Sequence, residues 1–304
     1  MKETLKFSIL ITTKNRLEEL KYTLQEIEYL LNRKDVECII CDDGSTDGTS
    51  SFIINMYPTI KLISNKKSKG LIYSRNRLLN LTSANFAISL DDDAHFITNN
   101  PLEIIENYFK NNQQCGVLAF RIYWGKISPK VIDTTEQSIR VKGFVGCGHV
   151  WNMKAWNEIP NYPDWFVFYG EEDFAAFQLF KKGWQIYYVP EIVVHHRVSL
   201  QARKNKKDYQ VRLRRSLRSG WYLYFLFYPF KLIPKKMIYT LWMQIKLKVF
   251  KGDFKALIAI IQALFDVAYN TFKLSKNSNR LTSVEFKEYS KLPNTKLYWN
   301  PKNQ

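Results

Sequence analysis

From residue 7 to 90 the chain alternates short apolar runs with segments of helical periodicity, and this rhythm leaves few folds open. The runs at 7–12, 36–41, 60–64 and 86–90 read as strands. After the first, Leu17, Leu20, Leu24, Ile27 and Leu31 recur at spacings of three and four, as on one helix face. Further helices are expected at 49–57 and 74–81. Repeated strand–helix–strand units of this length predict an α/β fold, a mostly parallel sheet flanked by helices. Ligands in such sheets bind beyond the C-terminal strand ends.

A Pro101-led helix follows, then strands at 115–123, 141–150 and 185–189, with a helix opening near Glu172. Near residue 197 the composition changes. The chain of 304 residues carries a net charge of +17, yet 197–251 alone holds fifteen Lys/Arg against one acid, Asp208. A near-neutral body of 1–197 therefore precedes a basic, aromatic-rich helical region of 198–304. That uneven distribution argues against a nucleic-acid binder that is basic throughout. A nucleic-acid or polyanion-binding role for 197–251 is the rival reading. Four cysteines are too few for a disulfide scaffold. Cys38 and Cys41 lie three apart in a strand-like run, which sends them to opposite faces and favours core packing over a metal or redox pair. The apolar run near the N-terminus is too short for a secretory leader, and nothing reaches the ~18 uncharged residues of a membrane span. A cytoplasmic location is expected.

Three acidic clusters sit at element ends: Asp42-Asp43, Asp91-Asp92-Asp93 and Glu171-Glu172-Asp173. Singly, each has an ordinary explanation in turn chemistry or in a helix's first turn. The first two end strands of one parallel sheet, so they converge on one rim. Three adjacent aspartates repel one another without a cation, and oxygen ligands at such a point suit Mg²⁺ or Mn²⁺ bridging to a diphosphate. Strand alternation puts Asp91 and Asp93 on one side and Asp92 on the other.

Ser8-Ile9-Leu10-Ile11-Thr12-Thr13-Lys14-Asn15-Arg16 resembles the opening "S-I-I-I-P-T-Y-N-R" of inverting GT-A glycosyltransferases of family 2. Cys41-Asp42-Asp43-Gly44-Ser45-Thr46-Asp47-Gly48-Thr49 is similar to that family's "V-D-D-G-S-T-D-G-T". Gly70 with Ser74-Arg75-Asn76, Leu90-Asp91-Asp92-Asp93, Gly146-Cys147-Gly148, Gly170-Glu171-Glu172-Asp173 and His195-His196 follow in the family's order. The resemblance spans about 7–197.

It implies a Rossmann-like GT-A fold and transfer of a hexose or deoxyhexose from a UDP-, GDP- or dTDP-sugar to a glycan, lipid-linked in surface polysaccharide synthesis. Thr13, Arg16, Asp42, Asp43, Arg75, Asp91 and Asp92 would bind the donor. Asp93 would hold the metal, joined by His196 or His195. Glu172 would be the base that deprotonates the acceptor hydroxyl, with Asp173 as the alternate, because Phe174 stands where the family has its last acid. That departure keeps a third reading open, an inactive relative acting as a scaffold. His95 and His149 read as ordinary polar residues.

Two features lie outside the motifs. Trp151, Trp156, Trp165 and the tyrosines at 162–169 would form either a sugar-stacking wall or core. The apolar stretches 221–230 and 254–272, flanked by Lys and Arg, suit an element lying in the interface of an anionic membrane, at its cytoplasmic face; a helical pack over the catalytic domain is the alternative.

Overall fold

The computed structural model describes residues 5–129, 132–198 and 208–296. Part of the basic segment, 199–207, thus lies outside the described residues.

Strands β1 (Phe7–Thr13), β2 (Val36–Asp42), β3 (Lys61–Ser64) and β4 (Phe86–Asp91) form a parallel block in the order β3-β2-β1-β4. Helices α1 (Leu17–Glu26), α2 (Glu28–Leu31), α3 (Thr49–Met56) and α4 (Leu71–Leu79) make the crossovers. Both faces of this block are covered, which is why β1 reads as an unbroken apolar run. Cys38 packs with Ile9 and Ile40 on one face and Cys41 with Leu10 and Ile39 on the other, both as free, buried thiols.

The second half adds β5 (Ala94–Phe96), α5 (Pro101–Asn111), β6 (Cys115–Trp124), β7 (Ile139–Val141), β8 (Gly148–Asn152), α6 (Met153–Asn157), α7 (Glu171–Lys181) and β9 (Gln185–His196). β8 inserts antiparallel between β4 and β6, while β9 runs parallel to β6, completing a mostly parallel mixed sheet. The single strand expected at 141–150 is two. Val141 ends β7 on the edge of β9, and Gly148 opens β8 in mid-sheet. Gly143, Gly146 and Gly148 weaken the strand between them. β9 runs on past the expected 185–189 because a register shift opposite Phe120 and Arg121 takes up Pro190, and pairing resumes at Val193. This extension delivers His195 and His196 to the rim.

The C-terminal region is helical: α8 (Tyr209–Phe227), α9 (Ile233–Leu247), α10 (Phe254–Tyr269), α11 (Thr271–Lys276) and α12 (Ser283–Lys291). α8 stops before Pro229, and Pro234 occupies the first turn of α9, where a missing N–H costs nothing. α8 docks on the catalytic body through Phe227, whose ring stacks on Phe177 at 4.8 Å and meets Phe174 edge-on at 5.3 Å. Among the described residues no helix is long and apolar enough to cross a membrane.

The aromatic stretch resolves towards core packing. Trp151, Trp156 and Tyr162 are buried in mutual edge contacts, and Trp165 packs on Tyr222 of α8.

Candidate active site

Register brings the strand ends together: Thr13 lies beside Asp42, and Thr12 beside Asp91. Asp42 closes the turn after β2 by accepting from the Ser45 N–H (2.8 Å) and the Ser50 hydroxyl (2.5 Å). Asp43 accepts four hydrogen bonds, from Asn65 (2.8 Å), the Ser68 hydroxyl (2.5 Å) and the N–H groups of Lys69 (2.7 Å) and Gly70 (2.9 Å). Burial works against its charge, but these donors outweigh it and hold the carboxyl below its usual range. All four lone-pair positions of Asp43 are therefore used in anchoring the 65–70 loop. Gly44 lets that loop close in: its φ is +81°, and a Cβ there would lie 3.0 Å from the Ser68 nitrogen.

The second cluster divides only in part as alternation predicts, because Asp92 and Asp93 lie past the end of β4 and share Arg16. Asp92 turns inward, accepting from the Thr13 hydroxyl (2.8 Å) and pairing with Arg16 (2.9 Å); burial outweighs Arg16 and pushes it up to about 7. Asp93 pairs with Arg16 (2.5 Å) and His196 (3.0 Å), which overcome its burial and hold it far below the carboxylate range. Burial opposes a charge on His196, yet Cys147, Asp93 and Asp91 together raise it to about 11. Ligand atoms of Asp91, Asp93 and His196 all lie within 4.8 Å of one another. His195 points away, bonded to the Gly125 carbonyl (2.9 Å) and packed on His95. His196 is thus the member of the pair that joins the aspartates. His149 is fully buried, bonded to the Val145 carbonyl (3.1 Å) and lowered to about 3 by burial.

Arg75 joins this cluster to the third. From α4 its buried guanidinium reaches Asp91 (2.9 Å), Glu171 (3.0 Å), Glu172 (3.2 Å) and the Gly146 carbonyl (3.0 Å). The expected donor-binding arginine is therefore committed to carboxylates and positions them. Glu172 keeps partial access to solvent, whereas Glu171 is buried with one oxygen unpartnered among the described residues. Burial and neighbouring Glu172 raise the Glu171 carboxyl despite Arg75. Gly146 completes the junction, since a Cβ there would collide with Glu172 and Arg75. Asp173 turns to the opposite side, exposed at the mouth of an aromatic recess, where its surroundings and Glu172 raise its carboxyl above the usual range. Phe174 is buried against Phe166 and Phe227, so the departure from the acidic motif is where α8 docks.

A cleft of about 590 Å³ opens over the rim. Thr13, Lys14, Asp43, Asp91, Asp92, Asp93 and His196 line it, with Ser68, Lys69 and Gly70 as one wall and Phe168 and Arg215 as another. Sequence reasoning missed Glu171, which looked like one more first-turn acid, and Gly146 as a steric requirement. It also missed Arg215, which α8 brings over the cleft and which has no hydrogen bond or ion pair to another described residue.

A mostly parallel α/β sheet with an Asp-x-Asp and two further acidic groups on its C-terminal rim defines a fold of the GT-A class. The chain belongs to glycosyl transferase family 2, whose model matches residues 8–164. It is a glycosyltransferase of that family, and α7, β9 and the C-terminal helices lie beyond the matched segment. Its fold is similar to that of GalNAc-T7 crystallised with UDP, GalNAc and Mn²⁺ (TM-score 0.61, 13% identity, 90% of this chain and 58% of that one). A second similar structure is the mannosyltransferase PcManGT from Pyrobaculum calidifontis with GDP-Man and Mn²⁺ (0.54, 16%, covering 88% and 76%). A third is S. aureus TarS 1-349 with UDP-GlcNAc (0.50, 14%, covering 72% and 66%). The chain thus spans 58% of the length of the first. At these identities the likeness establishes the fold. No curated protein sequence matches the chain.

Proposed function

We propose that the protein transfers a sugar, with inversion, from a nucleotide-diphosphate donor in the rim cleft to a glycan hydroxyl. The observation that carries this reading is the arrangement of Asp91, Asp93 and His196 in one cleft, linked through Arg75 to Glu172. Two carboxylates and an imidazole form a donor set that fits Mn²⁺ or Mg²⁺. Held by Asp91, Asp93 and His196, such an ion would offset charge on the departing diphosphate. Asp92 fixes Arg16 and Thr13 at the mouth of the first loop, and Asp43 shapes the wall against which the nucleotide lies. Lys14, Lys69 and Arg215 bring positive charge to the same cleft. Glu172 takes the acceptor proton, with Arg75 orienting it. UDP and GDP-Man in the similar structures support a nucleotide-sugar donor. A thermal-shift panel of UDP-, GDP- and dTDP-sugars with Mn²⁺ tests this. At a hundredfold excess over Kd, the true donor adds about 2.7 kcal/mol and raises the melting point by several degrees. No shift with any donor would overturn the reading.

The acceptor is proposed to be lipid-linked, with the enzyme at an anionic membrane face. α8 packs on the body, whereas α10 buries Ala256, Ala259, Ile260, Ala263 and Val267 and leaves larger apolar side chains exposed. Its polar stripe, Gln262 and Asp266, turns in to α8: Asp266 takes a bidentate pair from Arg214 (2.6 and 2.7 Å) and Gln262 meets Gln210. That leaves Ile261, Phe265 (72% exposed) and Tyr269 on the surface, and Ile238 and Trp242 of α9 are exposed as well. Lys235, Lys236 and Lys246 belong to α9 and Lys255 to α10. Two helices that expose large apolar side chains and carry lysines suit the headgroup region of an anionic bilayer. The protein should float with phosphatidylglycerol-containing liposomes and much less with pure phosphatidylcholine. Trp242→Glu with Phe265→Glu should abolish flotation; equal flotation of this double variant would exclude the surface.

A further inference from the structure

On the far side of the acidic junction from the rim cleft, a second cavity of about 520 Å³ lies between α7, α8 and α12. Its volume falls within the roughly 300–1,000 Å³ of small-ligand sites. Phe144, Tyr224, Tyr228 and Tyr289 line it, and Asp173 projects into it. Tyr228 packs against Tyr224 and Phe286, each at 4.7 Å, and Tyr289 is fixed by donating its hydroxyl to the Lys142 carbonyl (2.7 Å). The aromatic walls are thereby held in place. The Asp173 carboxylate has no hydrogen bond or ion pair to a described residue, so its acceptor positions are open to a ligand.

A helix glycine points to the same space. Gly220 sits inside the nineteen-residue α8, where glycine costs ~0.5–1 kcal/mol relative to alanine. Nothing lies within 4 Å of where its Cβ would be, so no neighbouring element requires the glycine. What a side chain would enter is this cavity, which Gly220 lines.

We infer that this cavity is a carbohydrate subsite that receives the acceptor glycan. Fixed aromatic faces offer apolar surface to the C–H side of a sugar ring, and an unpartnered carboxylate accepts from its hydroxyls. The position fits the reaction. In an inverting displacement the attacking hydroxyl approaches the anomeric carbon from the side opposite the leaving diphosphate, and the base sits beside that hydroxyl, on the acceptor side. Here the order runs from Asp173 in the cavity, through neighbouring Glu172, to Arg75 and Asp91 at the rim cleft. The inference rests on the glycosyl-transfer reading for its ligand class.

The decisive variant is Gly220→Trp, which fills the cavity from a site with open space and replaces a poor helix former. Tyr224→Ala removes one wall instead. The purified full-length chain and both variants are applied to a printed glycan array, and thermal shift with Mn²⁺ and the nucleotide-sugar panel is read in parallel. Wild type is expected to capture a defined glycan class, with Gly220→Trp reducing that signal at least tenfold and Tyr224→Ala weakening it. The donor-induced shift should be the same in all three. Glycan capture by Gly220→Trp at wild-type strength overturns the inference, as does a wild-type protein that binds a donor and captures no glycan. Absence of any donor shift in wild type would instead strike the glycosyl-transfer reading on which it rests.

Discussion

Asp93→Ala is expected to abolish sugar transfer while leaving the protein folded. Asp93 is the hub of the rim: among the described residues it alone contacts both Arg16 (2.5 Å) and His196 (3.0 Å), and it belongs to the candidate metal triad. Its loss strands neither partner. Arg16 keeps Asp92 at 2.9 Å and is half-exposed, and His196, freed from the carboxylate that holds its proton, can become neutral. The melting point should therefore move little. Activity should fall much further, by roughly a thousandfold or more in kcat, because charge stabilisation at a leaving group is a large catalytic term. Titration calorimetry should show weakened Mn²⁺ binding in the same variant. Turnover within tenfold of wild type, in a variant of unchanged melting point, would remove Asp93 from the mechanism.

The reach and the limit of the sequence reading show in single residues. Period-two alternation carried past the end of β4 predicts Asp92 apart from Asp91 and Asp93; the structure gathers Asp91 and Asp93 at His196 but pairs Asp92 and Asp93 with the one Arg16, because both lie in the turn after the strand. Strand ends of a parallel block share a rim whatever the loops do, so the site could be located before any contact was known. Choosing between His195 and His196 was different, because it depends on the register shift opposite Phe120 and Arg121. No local pattern encodes a shift set by pairing with a distant strand. The same holds for Arg75, whose partners come from β4, from α7 and from the loop before β8. A motif marks the arginine but does not say what it faces. Asp266 shows the reverse failure: the stripe it forms with Gln262 was legible, but the side it faces was fixed by Arg214 and Gln210 of α8, fifty-two residues away. The apolar residues of 254–272 divide between a buried side, with Ala259, Ile260 and Ala263, and an exposed one, with Ile261 and Phe265, and that division was set by another helix.

Glu172→Gln should retain donor binding and lose transfer by roughly a hundred- to ten-thousandfold, the range for removing a general base. The substitution preserves shape beside Gly146, where no larger residue fits. Arg75 keeps Glu171 and Asp91, so the junction stays charged and paired. Asp173→Asn should act differently. Its carboxyl faces the aromatic cavity and makes no contact with Arg75, so its loss should raise the acceptor KM more than it lowers kcat. The pH profile separates the two assignments. Its surroundings and Glu172 raise the Asp173 carboxyl above its usual range, so a reaction that needed it as base would lose rate as pH falls through that raised value. That acid limb would then vanish in Asp173→Asn. If it does, and Glu172→Gln turns over normally, the base is Asp173. If Glu172→Gln binds donor and is inert while Asp173→Asn keeps most of its kcat, the proton goes to Glu172, on the side of the helix that faces Arg75 and the rim.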